Sequence, residues 1–442
     1  MTENWNQYAD FVREVMEREH IAGAAVAVSR WGEVVFEQGF GYRDLERRLP
    51  VTPDTIFGIA SVSKSFSALA IMQLVDAGLL SVDDPVIKYL PELRFKGVTD
   101  MSAIKVRHLL SHTTGLPPMR RRQDIADFDA HIEFLANEDY TMLGEPGEYF
   151  SYCNDTFLLL GAIIERLTGR IYRKYMTQNV LDALDMHRST YSIEELTRFP
   201  NVTVPYIWNT ADSDWQVTAW PALGNFEVGG GVRSNVRDLL KYGSVFVDGG
   251  KYQGRAIVSG RGIAMMRQPM YRSGRKTWYC FALQATPDHW GYTLVEHGGS
   301  QPGVASNFGF VPEQGLVVAV LTNTSGASAS LLWLGAVNTA LGLPLDRPRS
   351  IEPEYTPNAA EIARILGTYR AAEGGRITVR QGEDGQLLVA DASGEYPARM
   401  SGATTLTFTF KIPRVVRFYF RDGESAAWAA LAGSRMLQRA AE

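Results

Sequence analysis

Segments with strand patterns form two groups near the two ends of the first 345 residues, and this arrangement limits the possible folds. Residues 22–30 and 33–42 are rich in small apolar and β-branched side chains and flank a tight Trp31-Gly32 turn, which predicts an antiparallel hairpin. Four more apolar segments, beginning with residues 279–286, follow before residue 324. Helical patterns occupy most of the chain between the two groups. The sequence therefore predicts an α+β fold in which both groups join one antiparallel sheet, flanked by helices and accompanied by a helical subdomain.

Prolines and charged residues interrupt every periodic pattern over residues 346–358, which indicates a linker. Residues 1–345 before it form the predicted α+β domain. Residues 359–442 after it contain short alternating strands such as LTFTFKI and VRFYF, with Asp384-Gly385 typical of a hairpin turn. We therefore expect an all-β, barrel-like accessory domain at the carboxyl end.

Composition narrows the classes of partner. The formal charge of -5 is spread over 442 residues without long blocks of one sign, so neither nucleic acid nor a membrane surface is favoured. The amino-terminal segment lacks the cationic and apolar regions of a signal peptide, and no apolar run is long enough to span a membrane. These observations predict a cytoplasmic protein. Cys153 and Cys280 stand outside any CxxC pattern and are expected to be reduced thiols.

A Ser-x-x-Lys pattern from Ser61 to Lys64 opens a segment that is apolar on nearly every face, which predicts a central buried helix. Ser61 would then lie at the positive end of that helix, where free backbone N–H groups favour a developing oxyanion. Burial lowers the pKa of a lysine, so Lys64 could accept a proton. An isolated pattern of this kind more often directs its lysine to solvent. Two further copies lack the helical setting, namely Ser102 to Lys105 and Ser273 to Lys276.

The segment Tyr152-Cys153-Asn154 is the only Tyr-x-Asn in the chain and precedes a second apolar helix pattern. A lysine cation beside Tyr152 would stabilise its phenolate, so the two side chains could relay the serine proton. Asn154 could hold a substrate amide. The alternative is that Tyr152 is a half-buried aromatic residue and Asn154 a helix cap.

An apolar strand pattern ends at His297-Gly298-Gly299. The two glycines would let the backbone of a ligand approach the strand edge closely. Taken alone, this tripeptide is more often an ordinary strand end. In combination with the two preceding motifs, it favours a binding edge for peptide-like substrates.

These three motifs, SVSK, YCN and HGG in this order, resemble those of the serine β-lactamase and penicillin-binding-protein superfamily. The resemblance covers roughly residues 5–342 and is greatest to the class C-like branch of esterases, D-aminopeptidases and related amidases. It implies that Ser61 is the acylated nucleophile and that Lys64 and Tyr152 transfer its proton. The carboxyl-terminal domain, outside the resemblance, is expected to be a lipocalin-like barrel. Backbone N–H groups of Ser61 and Ser300 would form the oxyanion hole. The implied substrate-binding residues are Asn154, His297, Gly298, Gly299 and Ser300.

The third motif departs from the Lys-Thr-Gly that is usual in β-lactamases and transpeptidases. His297 removes a fixed cation that would pair with a substrate carboxylate, which disfavours penicillin-like substrates. We therefore predict a serine hydrolase that forms an acyl-enzyme with small amides, peptides (those containing D-amino acids favoured) or esters. The open alternatives are a β-lactamase or DD-carboxypeptidase, and a non-catalytic scaffold on the same fold.

No cofactor or metal is expected. His108 and His112 have the spacing of a zinc pair but lack the glutamate of an HExxH motif. The Gly229 to Gly231 run is interpreted as a tight turn beside the pocket. A small molecule or short peptide is the predicted partner, and homo-oligomerisation remains open.

Overall fold

The computed structural model describes residues 4–441. The helices are α1 (Trp5–Arg18), α2 (Ser63–Asp76), α3 (Val106–Ser111), α4 (Phe128–Asn137), α5 (Asn154–Thr168), α6 (Tyr172–Met176), α7 (Glu227–Gly230), α8 (Val236–Val247), α9 (Gly260–Arg267), α10 (Ala329–Leu341) and α11 (Ala359–Ile365). The strands of the amino-terminal region are β1 (Gly23–Arg30), β2 (Glu33–Asp44), β3 (Leu49–Pro50), β4 (Phe57–Gly58), β5 (Tyr206–Asn209), β6 (Asp214–Val217), β7 (Arg233–Ser234), β8 (Lys251–Tyr252), β9 (Arg255–Ala256), β10 (Tyr271–Arg272), β11 (Trp278–Tyr279), β12 (Gln284–His289), β13 (Tyr292–Gln301), β14 (Val304–Val311) and β15 (Leu316–Thr322). Those of the carboxyl-terminal region are β16 (Gly367–Arg370), β17 (Arg376–Gln381), β18 (Leu387–Asp391), β19 (Gly394–Gly402), β20 (Thr405–Phe410), β21 (Ile412–Tyr419), β22 (Ala429–Ala432) and β23 (Arg435–Arg439).

The central sheet joins the two predicted groups of strands. Its order is β10-β11-β12-β13-β14-β15-β1-β2-β3. Strand β1 pairs antiparallel with both β2 and β15, and Ala24 lies opposite Thr322 in the second of these pairs. The hairpin at Trp31 and the α+β prediction are therefore confirmed.

Helices cover both faces of this sheet. Helices α1 and α10 contribute to the hydrophobic core on one face, and α2, α5 and α8 contribute to the core on the other. Because both faces are covered, β14 and β15 are buried along their whole length, and β15 is a nearly continuous apolar run without alternation. Helix α2 lies within the second core, which explains why it is apolar all round.

The carboxyl-terminal strands form a closed barrel in the order β16 to β23, in which β23 also pairs with β16. Gly385 has a φ of 84° between β17 and β18, as a hairpin turn at Asp384-Gly385 requires. The predicted barrel is confirmed, but the all-β description missed α11. Asn358 and Glu361 form a reciprocal capping box at the start of this helix.

One predicted strand is divided. The sequence predicts a continuous strand over residues 279–286, whereas β11 ends at Tyr279 and β12 begins at Gln284. Ala282 has a φ of 52° between them, and its N–H donates to the Leu110 carbonyl. The hydrogen bond from Ala282 to Leu110, which is distant in the sequence, therefore replaces the strand pairing expected at this position.

The barrel packs directly against the α+β region. Phe150, Tyr152 and Tyr279 form a buried cluster with Trp428 and Met436 of the barrel. Segment 346–358 is also packed, because Arg349 forms a two-pronged ion pair with Glu296 at 2.7 and 2.8 Å. The division into a domain at 1–345, a linker and a domain at 359–442 stays a prediction. Within residues 4–441, every helix is too short or too polar to cross a membrane.

Candidate active site

Ser61 lies in a short 3₁₀ turn, Ala60–Val62, that leads directly into α2. The sequence predicts the helix to begin at Ser61, and the regular α-helix begins two residues later at Ser63. Ala60 has a φ of 46°, a left-handed conformation that costs energy for a residue with a side chain. The turn is fixed from the sheet, since the Ser306 hydroxyl donates to the Ile59 carbonyl at 2.7 Å.

Lys64 is buried one turn into the helix, and its Nζ has three polar neighbours. It lies 2.8 Å from Asn154 Oδ1 and 3.0 Å from the Gly229 carbonyl oxygen. The Ser61 Oγ lies 3.5 Å away. A Cβ at position 229 would lie 2.7 Å from Nζ, so the contact requires a glycine there.

Burial lowers the pKa of Lys64 well below its usual value, and the positive charges of Arg435 and Arg121 lower it further. Glu373 acts in the opposite direction. A neutral amine has two N–H donors and one lone pair. The two carbonyl acceptors match the donors, which leaves the lone pair available for the Ser61 hydroxyl.

Tyr152 lies two residues before the start of α5, and its ring is close to both Lys64 and Arg435. Lys64 Nζ is 4.9 Å from the ring centroid, and the Arg435 guanidinium carbon is 4.6 Å from it. Burial raises the pKa of Tyr152 to about 12, although the neighbouring Ser61 side chain and Arg435 lower it. The phenol is therefore protonated near neutral pH, unlike the phenolate of the sequence argument. Its hydroxyl makes no hydrogen bond with any residue that the structure describes.

Asn154 begins α5 and is buried. Its Oδ1 accepts from Lys64 and its Nδ2 donates to Glu373 Oε1 at 3.4 Å, which assigns the orientation of the amide. Its neighbour Cys153 is a buried, free thiol, as is Cys280. Burial raises the pKa of Cys153 to about 12, so this thiol is unreactive near neutral pH.

The third motif lies on the part of β13 that extends beyond its neighbour β12. Glu296 pairs with Gln284, the first residue of β12, whereas Gly298 to Gln301 pair only with β14. One backbone edge of this segment is therefore open. Gly299 packs tightly against the serine turn, since a Cβ there would lie 2.3 Å from the Ile59 carbonyl oxygen.

His297 is neutral. Burial, reinforced by the charge of Lys64, lowers its pKa to about 3. Its Nδ1 lies 2.6 Å from the Gly298 carbonyl oxygen and its Nε2 lies 3.2 Å from the Tyr279 hydroxyl. The carbonyl can only accept, so Nδ1 carries the proton and Nε2 accepts from Tyr279.

A cavity of about 580 Å³ brings Ser61, Tyr152 and the third motif together. Lys64 and Asn154 lie immediately behind it through their contacts with Ser61 and with each other. The opposite wall belongs to the carboxyl-terminal barrel. Its residues include Phe410, Ile412, Ser434 and Arg435. The candidate residues of all three motifs therefore converge on one site, which the barrel encloses.

Several residues of the site were missed by the sequence analysis. Gly229 belongs to the Gly229 to Gly231 run noted in the sequence. A run of glycines often marks a close backbone approach, so this run was the available signal for the contact with Lys64. Glu373 and Arg435 have no local signal, because they enter from the barrel.

The apparent zinc pair is separated by the fold. Helix α3 ends at Ser111, and His112 has a left-handed φ of 54°. Its Nδ1 accepts from the Cys153 N–H at 3.3 Å, and its ring lies 4.1 Å from that of Tyr152. His112 therefore supports the second motif and does not share a helical face with His108.

Comparison with known proteins identifies the family. The family model described as Beta-lactamase matches residues 8–340, and the chain therefore belongs to the β-lactamase family. The superfamily inferred from the three motifs is thus confirmed, and members of this family are generally serine hydrolases.

Relatives of similar length are known. Penicillin-binding protein 4* of Bacillus subtilis (strain 168) is 23% identical over 97% of this chain and 96% of its own. Penicillin-binding protein 4 of Amycolatopsis lactamdurans is 28% identical over 84% of this chain and 98% of its own. The structure of the octameric penicillin-binding protein homologue from Pyrococcus abyssi matches with a TM-score of 0.73 and 26% identity, covering 98% of this chain and 99% of that one.

Proposed function

We propose that this protein is a serine hydrolase that forms an acyl-enzyme on Ser61 with small amides, peptides or esters, with D-amino-acid-containing peptides favoured. The observation that carries the proposal is the position of Lys64 Nζ, buried and 3.5 Å from Ser61 Oγ. A buried lysine of lowered pKa is a base at neutral pH.

In the proposed reaction, Ser61 Oγ attacks the substrate carbonyl carbon while its proton passes to Lys64 Nζ. The carbonyl oxygen becomes an oxyanion, which the backbone N–H groups of Ser61 and Ser300 stabilise. Tyr152 donates its proton to the leaving nitrogen or oxygen and recovers one from Lys64. Water then attacks the acyl carbon and gives a proton to Lys64, which returns it to the Ser61 oxygen as the acyl–oxygen bond breaks.

The open edge of β13 supports peptide-like substrates. Backbone groups at Gly298 to Ser300 would bind the substrate main chain as an added strand does. Asn154 would bind a substrate carbonyl through its Nδ2, which Glu373 occupies in the free protein. Neutral His297 supplies no fixed charge on this side.

A second candidate function is penicillin binding with DD-carboxypeptidase or β-lactamase activity. Its support is the name of two relatives, both penicillin-binding proteins. The two candidates differ in their preferred acyl donor. The cytoplasmic location remains part of our proposal.

One panel of substrates tests the proposal. It contains D- and L-aminoacyl anilides, p-nitrophenyl esters and nitrocefin, each assayed with the wild type and with Ser61→Ala. We expect turnover of a D-aminoacyl anilide or an ester that Ser61→Ala abolishes. A higher kcat/KM for nitrocefin than for every amide and ester would favour the second candidate. Absence of turnover, with no phosphonate adduct on Ser61, would contradict both candidate functions. The remaining alternative would then be a non-catalytic scaffold on the same fold.

We also propose that the protein forms homo-oligomers, because the Pyrococcus abyssi relative is octameric. Light scattering after size exclusion should give a mass that is a multiple of 49.1 kDa. A monomeric mass over a wide concentration range would contradict this.

A further inference from the structure

The lining of the cavity over Ser61 contains more cations than carboxylates. Its lining contains the cations Arg349, Lys411, Arg414 and Arg435 and the carboxylate Glu296. Arg349 and Glu296 neutralise each other through their two-pronged pair. The remaining three cations all belong to the barrel. A cavity lined in this way attracts anionic ligands.

Arg435 is the cation nearest to the reactive groups. Its guanidinium lies over the Tyr152 ring, and its charge contributes to the lowered pKa of Lys64. The side chain is one-third exposed (34%), so it faces the cavity and is not enclosed in the barrel. Lys411 and Arg414 lie near carboxylates outside the reactive cluster, 3.4 Å from Glu19 and 3.9 Å from Asp391.

A carboxylate already occupies the space beside Arg435. Glu373 accepts from Arg435 Nε at 3.1 Å through one oxygen and from Asn154 Nδ2 at 3.4 Å through the other. Arg435 Nη1 donates to the Ser434 hydroxyl at 2.9 Å. The amide of the second motif and the guanidinium of the barrel thus form a carboxylate-binding pair, filled by a side chain of the same protein.

We propose that Arg435 binds a free carboxylate of the substrate and that Glu373 is the internal counter-ion that this carboxylate replaces. The inference rests on the proposed acyl transfer at Ser61 and adds to it a preference for those amides, peptides or esters that bear a carboxylate. It also supplies the fixed cation that is missing from position 297, from the opposite wall of the cavity. A substrate ammonium would be disfavoured at this position because it would lie beside Arg435.

Protection of Ser61 from a fluorophosphonate tests this inference with the full-length protein. The protecting ligands are N-acetyl-D-alanine, its neutral carboxamide, and D-alaninamide, which bears only an ammonium. In the wild type, we expect half-protection at a concentration of the carboxylate about tenfold or more below that of the carboxamide, as a hydrogen bond to a charged group implies.

Variants assign the effect to its residues. Arg435→Gln should bring the carboxylate-to-carboxamide ratio close to one, and Arg435→Lys should restore part of it. Glu373→Gln removes the internal competitor and should tighten carboxylate binding several-fold more than it tightens carboxamide binding. The control is Arg439→Gln, which removes the same charge from β23 at a site where the guanidinium contacts Tyr369 inside the barrel. Its ratio should equal that of the wild type.

The outcomes separate this inference from the proposed function. If Ser61 is not labelled, the proposed function fails and the inference fails with it. If Ser61 is labelled but the carboxylate and carboxamide protect equally, the inference alone is overturned. The same holds if D-alaninamide protects best and Glu373→Gln abolishes that protection, because Glu373 would then bind a substrate ammonium. Should Arg435→Gln fail to fold, the opposite response expected of Glu373→Gln still decides the question.

Discussion

The side-chain amine of Lys64 and the side-chain oxygen of Asn154 lie 2.8 Å apart, although 90 positions separate them in the chain. The second motif therefore holds the amine of the first motif in place. The same amide reaches Glu373 through its nitrogen, so Asn154 links the serine turn to the barrel. If any one of these hydrogen-bonded side chains is lost, a buried polar group is left without its partner, which lowers the stability of the folded protein.

Ser61→Ala is expected to abolish labelling by a fluorophosphonate and all turnover, since the buried Lys64 amine lies within hydrogen-bonding distance of the Ser61 hydroxyl. Ser102→Ala and Ser273→Ala are matched controls from the other two Ser-x-x-Lys patterns and should retain wild-type labelling. Ser102 is exposed and donates to Asp100 Oδ1 at 2.6 Å. Mass spectrometry locates the adduct. An adduct on a serine other than Ser61 would refute the assignment of the nucleophile.

Lys64→Ala and Tyr152→Phe should each lower kcat by about a hundredfold or more, because loss of a general acid or base typically costs 10² to 10⁴-fold. Tyr152→Phe is mild structurally, since the hydroxyl makes no hydrogen bond within the described residues. Burial lowers the Lys64 pKa, and the base acts when deprotonated. The kcat/KM of the wild type should therefore rise with pH through that lowered pKa, and Lys64→Ala should lack this rise. Near-normal turnover by either variant would contradict the proton relay.

Gly298→Ala and Gly299→Ala form a matched pair of adjacent substitutions with different expected effects. A Cβ at 299 would lie 2.3 Å from the backbone oxygen of Ile59, so the serine turn must shift and activity should fall by more than about tenfold. A Cβ at 298 would lie 3.2 Å from Asn307 Oδ1, a side-chain atom that can move. Gly298→Ala should therefore remain close to the wild type. Equal kcat/KM values for the two variants would show that the packing of β13 against the serine turn does not affect activity.

Asp155→Asn should stabilise the protein at pH 8 and leave its stability at pH 4 nearly unchanged. Burial raises the Asp155 pKa to about 7 from 3.8, and the negative charge of Glu373 adds to the shift. The stabilising effect of the raised pKa is complete below pH 4 and is lost as pH rises to about 7.

The measurement is the Tm of Asp155→Asn minus that of the wild type, from pH 4 to pH 8. His131, 3.7 Å away, titrates with a pKa lowered to about 4 by burial and is present in both proteins, so the difference largely removes its contribution. Asp129→Asn, which changes an exposed carboxylate of α4 that pairs with Arg166, is the control for the substitution itself. A Tm difference that falls as the pH rises would contradict the prediction.

Residues 1–350 are expected to fold without the barrel, because the central sheet and its two cores are complete within them. Removal of the barrel would uncover Phe150 and Tyr279 and leave the Tyr152 N–H without the Ser434 carbonyl, 2.8 Å away in the full chain. The fragment should therefore be cooperatively folded in a thermal melt but have an altered substrate profile or assembly. Insoluble protein with no folded fraction would show that the two regions form one inseparable unit.

The sequence predicted most of the fold because its strands and helices have strong local patterns. The hairpin at Trp31 and the buried helix after Ser61 follow from periodicity alone, and the capping box at Asn358 could have revealed α11. The break between β11 and β12 could not be predicted, since a contact with Leu110 causes it.

The candidate site divides in the same way. Ser61, Lys64, Tyr152 and Asn154 occur in short motifs whose spacing carries the chemistry. Arg435 and Glu373 are ordinary surface-type residues in the sequence, and only the docking of the barrel brings them to the site. The burial that raises the pKa of Tyr152 likewise depends on that docking.

The contact between Tyr152 and Ser434 also has a consequence for the timing of biosynthesis. A ribosome releases the serine turn and both helices of the reactive cluster long before it reaches the strand that carries Arg435. Until residues 434–436 have been made, the Tyr152 N–H lacks the Ser434 carbonyl and the Ser151 hydroxyl lacks the Met436 N–H, so the cavity over Ser61 cannot be closed. Ser61 is thus synthesised well before the barrel residues that complete the cavity around it.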